Sequence, residues 1–218
     1  MPAERSELVF DLARGVREVV LPYLGSHAGR AETGGGAGGD VTFAVDEVAE
    51  RFVERFVSER ASGFSFYSED RGLMGERTDS HVLVVDPIDG TRPAMAGLES
   101  ACVAVALAPL GDGEPRMADV EVGCVLEIKT GDWFLAVRGS GLRCSRRVQL
   151  SRNTELARMF WGYGFRGRPA RETVEVLSAL IDSSSVGGGT FELGSQAFVM
   201  TRVCTGQLDA VVEVGSRM

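Results

Sequence analysis

The stretch His81–Gly97, HVLVVDPIDGTRPAMAG, sets how the rest of the chain is read. It begins as an apolar, valine-rich run without a polar face, the pattern of a central strand buried on both sides. It then stops at two acids, Asp86 and Asp89, three residues apart. Pro87 fixes the backbone between them, so both carboxylates can fold round one point with the Ile88 carbonyl between. Gly90 and Thr91 follow at what reads as a helix start, where N–H groups suit an anionic oxygen.

Two further acids close strand-like segments upstream. GFSFYSEDRG, residues 63–72, reads as a short strand ending in Glu69 and Asp70. In DVTFAVDEVAERFVERFVSER, residues 40–60, Val41, Phe43 and Val45 alternate as in a strand, whereas Val48, Ala49, Phe52, Val53 and Phe56 follow helical spacing. Asp46 falls at that junction, and its local sequence suggests a helix N-cap. If these strands are neighbours, the acids converge on one rim. Clustered carboxylates repel unless protons or cations intervene, and oxygen-only ligand sets suit hard ions such as Mg²⁺.

The remaining text supplies a scaffold. Residues 6–24 carry apolar side chains at Val9, Leu12, Ala13, Val16, Val19 and Val20, an amphipathic helix ending near Pro22 and Gly25. GGGAGG, residues 34–39, is either an active-site flap or a linker. After Gly97, three strand patterns separated by turns (SACVAVALAPL, VEVGCVLEI and DWFLAVRG) predict a mostly antiparallel sheet. A helix over Glu172–Ile181, a Ser/Gly-rich stretch, a helix from about Gln196 to Thr205 and a closing strand, LDAVVEV, complete the pattern. No internal repeat is present.

Composition narrows the function. The 218 residues, 44% of them hydrophobic, are ample for a core. No apolar run reaches the roughly 18 residues of a membrane span, and the N-terminus interleaves acids with arginines, so a cytoplasmic protein is expected, with no membrane partner. With 23 basic and 31 acidic residues the formal charge is −8, which argues against nucleic acid as a partner. An acidic protein that takes a phosphate needs cations at the site, because bound divalent ions reverse the local field. The four cysteines are far apart, lack metal-site spacing and read as buried free thiols.

With DPIDGT, the SED of residues 68–70, VTFAVDEVAE and the late GQLDAVVEVG, the chain resembles the superfamily of inositol monophosphatase and fructose-1,6-bisphosphatase, lithium-sensitive sugar and inositol phosphatases. The match runs from about Asp40 to Gly215, and DPIDGT is its specific signature. The resemblance implies an α+β fold layered αβαβα, and Mg²⁺-dependent hydrolysis of a small phosphomonoester with two or more ions per site. By position, Glu69, Asp86, Asp89 and the Ile88 carbonyl would hold metal, with Glu69 also counted as catalytic. Asp46 and Thr91 would orient the attacking water, which replaces the cap reading of Asp46. Gly90 and Thr91 would hold the phosphate, and Glu213 would meet the substrate's hydroxyls, with Ser195 and Gln196 at a helix start near the same substrate-binding pocket. Arg92 reads either a second anionic group or a neighbouring surface acid.

Departures from the family pattern set the alternatives. Members usually continue to a W-D-x-A-G-type motif whose Asp binds the second metal, whereas this sequence stops at Met218 with its C-terminal part shortened, so either the chain is truncated or incompletely represented or its second metal site is weakened. No lysine stands in the glycine segment. The boundary is expected near residue 145, with an N-terminal α+β domain over 1–145 carrying the acids and an incomplete α/β domain over 146–218. Strand edges left by that short domain favour a homodimer. Beside a polyol or sugar monophosphatase, the open alternatives are a phosphatase of bisphosphate nucleotides or fructose 1,6-bisphosphate, and a weakly active form that binds a phosphorylated metabolite or partner.

Overall fold

The computed structural model describes residues 2–35, 41–68, 71–76, 79–111, 115–165 and 170–214. Contacts divide the chain into two compact units, Met1–Ser145 and Arg146–Met218.

The first unit is built on two helices, α1 (Pro2–Val20) and α2 (Ala44–Arg60). Val9, Leu12, Ala13, Val16 and Val20 are buried on α1, and Val45, Ala49, Val53, Phe56 and Val57 on α2, each set at the spacing of one helical face. Helix α1 starts earlier than its apolar periodicity indicates and gives way to a tighter turn at Leu21–Tyr23, where Pro22 cannot donate to the α-helical ladder. Between the helices, β1 (Glu32–Gly35) pairs antiparallel with β2 (Val41–Phe43). Residues 36–40, most of the glycine segment, lie outside the described residues.

Seven strands form one sheet: β3 (Phe64–Ser68), β4 (Gly72–Met74), β5 (His81–Asp89), β6 (Cys102–Pro109), β7 (Val122–Glu127), β8 (Trp133–Val137) and β9 (Gly141–Cys144). Their order is β4-β3-β5-β6-β7-β8-β9, and only β3 with β5 is parallel. One face carries Leu83, Val85, Val103, Val105, Leu107, Val122, Cys124, Leu126 and Leu135, and these join the apolar faces of α1 and α2 in a single core. A short helix, α3 (Thr91–Ala96), follows β5 directly.

The second unit has a different logic. Three strands, β10 (Phe160–Phe165), β11 (Gly189–Phe191) and β12 (Ala210–Val214), are all parallel and lie in the order β11-β10-β12. Parallel neighbours require crossovers, and α4 (Ala170–Ser184) and α5 (Gln196–Cys204) supply them. Gly162 and Gly164, alternate positions on β10, let α5 lie close: a Cβ at Gly162 would stand 2.5 Å from Val199 Cγ1, and one at Gly164 would overlap Gln196 Nε2. No helix among the described residues is long and apolar enough to cross a membrane. None of the four cysteines is joined in a disulfide, but only Cys102 and Cys124 are buried. Cys144 on the edge strand β9 and Cys204 at the end of α5 are partly exposed, which corrects the expectation of four buried thiols.

Candidate functional site

Asp86 and Asp89 are offset by three positions, an odd number, so in a regular strand they would point to opposite faces. They do not, because β5 carries a bulge: Asp86 lies opposite Ala104 and Asp89 opposite Cys102, three steps on one strand against two on the other. Ala104 and Cys102 share a face, and their partners therefore share it too. That face is opposite the one on which Leu83 and Val85 meet the helices. Ile88, the residue displaced by the bulge, turns back into the core and is 5% exposed.

Local hydrogen bonds hold this corner. The Ile88 N–H donates to Asp86 Oδ1 at 3.2 Å, and Thr91 Oγ1 donates to the Ile88 carbonyl at 3.2 Å. Gly90 joins strand to helix with φ 94°, a left-handed conformation that favours glycine. Past it, the first N–H groups of α3 have no partner within the helix. Pro93 brings none, and the Ala94 N–H bonds the Gly90 carbonyl at 3.0 Å, so Thr91 and Arg92 contribute the donors of this turn. Arg92 is exposed and has no hydrogen-bond or ion-pair partner among the described residues, so no acid there accounts for it as a paired surface arginine.

The parallel pairing of β3 with β5 brings Ser68 beside Val85, so β3 ends at the rim where β5 delivers Asp86. Glu69, expected as a ligand, follows Ser68 and lies outside the described residues. Asp46 does not end a neighbouring strand of this sheet, because β2 pairs only with β1 and the chain has become helical by Ala44. It occupies the third position of α2, is 9% exposed, and its Oδ2 accepts the Phe43 N–H at 2.9 Å. Asp46 thus caps the helix from inside, while Thr91 Oγ1 bonds Ile88; each serves its own turn. Among the described residues, no group of three or more His, Cys, Asp and Glu side chains is gathered to hold a metal ion.

In the second unit, a parallel sheet whose first strand lies between the next two has a switch point between the first and third, and α/β sheets bind ligands at the carboxyl ends of strands there. Here that point is the β10–β12 pair, where Gly164 lies opposite Glu213. Gln196, the first residue of α5, packs its carboxamide on Gly164, and its buried Oε1 has no hydrogen-bond partner among the described residues. Glu213 is exposed. Ser195 is buried and its Oγ accepts the Phe198 N–H at 3.1 Å, so it serves as the N-cap of α5. Gly164 was not legible as a site residue; the alternation of glycine with aromatic residues in FWGYGF is its only signal.

Over residues 1–218 the chain matches the sequence model of the inositol monophosphatase family. It belongs to that family. The inositol-1-monophosphatase of Mesorhizobium japonicum is 26% identical over 182 residues, covering 81% of this chain and 64% of that protein. The fructose-1,6-bisphosphatase/inositol-1-monophosphatase of Methanothermobacter thermautotrophicus is 27% identical over 213 residues, covering 93% of this chain and 72% of that one. The chain thus spans about two thirds of the length of these family relatives, 64% and 72%. Among solved structures, the extragenic suppressor protein suhB of Bartonella henselae superposes with a TM-score of 0.78 at 22% identity, over 97% of this chain and 78% of that one, which shows the shared fold.

The family is generally metal-dependent. The described residues fit a hard divalent cation in kind: two carboxylates and a backbone carbonyl, all oxygen, brought to one corner by the bulge. They supply part of a ligand shell rather than the whole of one.

Proposed function

We propose that the chain is a Mg²⁺-dependent phosphomonoesterase acting on a small polyol or sugar phosphate. The observation that carries this is the β5 bulge, which turns Asp86 and Asp89 to the same face at the strand end that leads into α3. Asp86, Asp89 and the Ile88 carbonyl, with Glu69, hold the metal. When bound, Mg²⁺ lowers the pKa of a water and steadies the oxygens of an in-line displacement at phosphorus.

The chain's own groups orient the reactants. Thr91 Oγ1 keeps lone pairs after donating a hydrogen bond to the Ile88 carbonyl, so it can accept one from the attacking water and aim it. Asp46, anchored at the first turn of α2, is the proposed partner in that task. The N–H groups of Gly90 and Thr91 hold the phosphate. Because α3 is only six residues long, these donors act individually rather than through a helix dipole. Glu213 and Gln196 read the substrate's hydroxyls, while Ser195 contributes by capping the helix that carries Gln196.

Arg92 favours a second substrate class. An exposed guanidinium beside Thr91, without an acidic partner among the described residues, suits a substrate with a further anionic group, such as fructose 1,6-bisphosphate or a bisphosphate nucleotide. Phosphate release from inositol 1-phosphate, fructose 1,6-bisphosphate and adenosine 3′,5′-bisphosphate, each with Mg²⁺ or EDTA, ranks the classes. Asp89→Asn removes a ligand charge and is expected to lower metal-dependent turnover by orders of magnitude while the protein stays folded. Near-normal turnover by that variant would refute the metal assignment. A folded wild-type chain that binds Mg²⁺ yet releases no phosphate would indicate a binder of phosphorylated metabolites instead.

A further inference from the structure

Helix α2 carries a buried acid that the chemistry above does not use. Glu50 is 2% exposed, and its Oε2 accepts a hydrogen bond of 2.9 Å from Ser68 Oγ, itself fully buried. The Ser68 oxygen also accepts the Arg71 N–H at 3.2 Å, so one hydroxyl links the end of β3 to the chain three residues later. Arg71 is held by the same helix: its Nε lies 3.4 Å from Glu54 Oε1 and its Nη2 3.8 Å from Glu47 Oε1. Glu47, Glu50 and Glu54 follow one another at three and four residues, a single stripe along α2.

The magnitudes decide which member of the stripe matters. The Arg71 pairs are about one third exposed and contribute at most about 1 kcal/mol each. A buried carboxylate is different, since it costs several kcal/mol of desolvation unless it is hydrogen-bonded. An apolar residue would suit this position better if packing were its only role. What the Glu50–Ser68 bond gains is location: it fixes the end of β3 in register beside Val85, next to Asp86.

We propose that Glu50, acting through Ser68, is a positioning residue that sets the metal affinity of the rim carrying Asp86 and Asp89. This rests on the metal-dependent reading of that rim. Ser68 pairs with Val85, the residue before Asp86, so loosening the Glu50–Ser68 anchor weakens cation binding before it weakens the fold. Groups that orient ligands without touching the metal typically change affinity about 10–100-fold when removed.

The test is Mg²⁺ binding by isothermal titration calorimetry to the full chain, with metal-free melting in EDTA measured alongside. Glu50→Gln and Ser68→Ala should each raise the Mg²⁺ dissociation constant about tenfold or more, whereas Ser68→Thr, which keeps the hydroxyl, should remain within about threefold of wild type. Leu83→Ala in the core controls for general loosening: it should lower the melting temperature and leave the dissociation constant unchanged. If Glu50→Gln fails to fold, Ser68→Ala decides alone. Wild-type affinity in Ser68→Ala, with binding weakened in Asp89→Asn, overturns the positioning role while the metal site stands. Absence of Mg²⁺ binding by wild type, or its persistence in Asp89→Asn, overturns the metal reading and the positioning role with it.

Discussion

Gly164→Ala separates recognition from folding in the second unit. A Cβ at Gly164 would overlap Gln196 Nε2 and stand 3.1 Å from its Cδ and 3.7 Å from Glu213 Cγ. To reach an ordinary separation of about 3.5 Å, the amide must withdraw by roughly 1.5–2 Å. The side chain can do so, because the clash is with its mobile end, and Oε1 has no hydrogen bond to lose among the described residues. Replacing glycine by alanine in extended backbone also narrows the unfolded ensemble, a gain of about 0.4–1 kcal/mol that offsets much of the crowding. The expected net change in stability is therefore within about 1 kcal/mol. Recognition has no such compensation: displacing Gln196, proposed above to read the substrate's hydroxyls, by about 1 Å can lower activity some 100-fold. The assay is kcat/KM for phosphate release with thermal melting on the same preparations. Adding Gln196→Ala should relieve the crowding and cause little further loss, a non-additive pair. Wild-type kcat/KM in Gly164→Ala, or a large loss of stability that Gln196→Ala does not repair, would refute the reasoning.

Thr91→Ala is expected to lower kcat more than it raises KM, because the hydroxyl is assigned to the water; steady-state kinetics showing the reverse would remove it from that role. Burial pushes the Cys124 thiol up to about 12, so at pH 8 it is protonated and unreactive. Iodoacetamide followed by mass spectrometry should label Cys144 and Cys204 first, with Cys124 labelled only on unfolding. At Asp209, partial burial acts to raise the pKa, but hydrogen bonds from Ser151, the Phe160 N–H and Asn153 outweigh it and leave the carboxyl below its ordinary value. A depressed acid contributes stability that is present above its unfolded value near pH 4 and lost as pH falls further. Asp209→Asn should therefore flatten that part of the stability profile in urea denaturation.

Much of the first unit was legible because its chemistry is local. The apolar run before Asp86 is a strand flanked on both sides, and the meander after Gly97 is β6 to β8. The onset of α2 was not legible, because Val45 continues the alternation of Val41 and Phe43 even though the helix begins at Ala44. What ends the strand is the Asp46 carboxylate reaching back to the Phe43 N–H, a contact that strand periodicity does not register. Strands β10 and β11 were hidden for a related reason. Gly162 and Gly164 leave one side of β10 without side chains so that α5 can approach, and β11 is three residues inside a Ser/Gly-rich stretch. The approach of helix to strand that demands those glycines exists only after folding. At the candidate site, Asp86, Ile88, Asp89 and Thr91 could be named from one hexapeptide, whereas Glu50, 36 positions before Asp86, carries no motif and shows itself only by being buried.

The bulge at Asp86–Asp89 also bears on what kinds of genetic change this corner tolerates. Which side of a sheet a residue faces depends on counting, and the count here is deliberately off by one. Exchanging Ile88 for valine alters volume and leaves the count intact. Deleting a single residue between the two acids restores regular pairing to β5, shifts the Gly90 turn and α3 relative to the ladder, and removes the displaced carbonyl between the acids. Inserting one residue either sends Asp89 to the core side, where the bulge is kept, or shifts its register against β6, where it is lost. The segment is therefore constrained in its length at least as tightly as in its composition, and drift by insertion or deletion is closed to it where drift by substitution remains open.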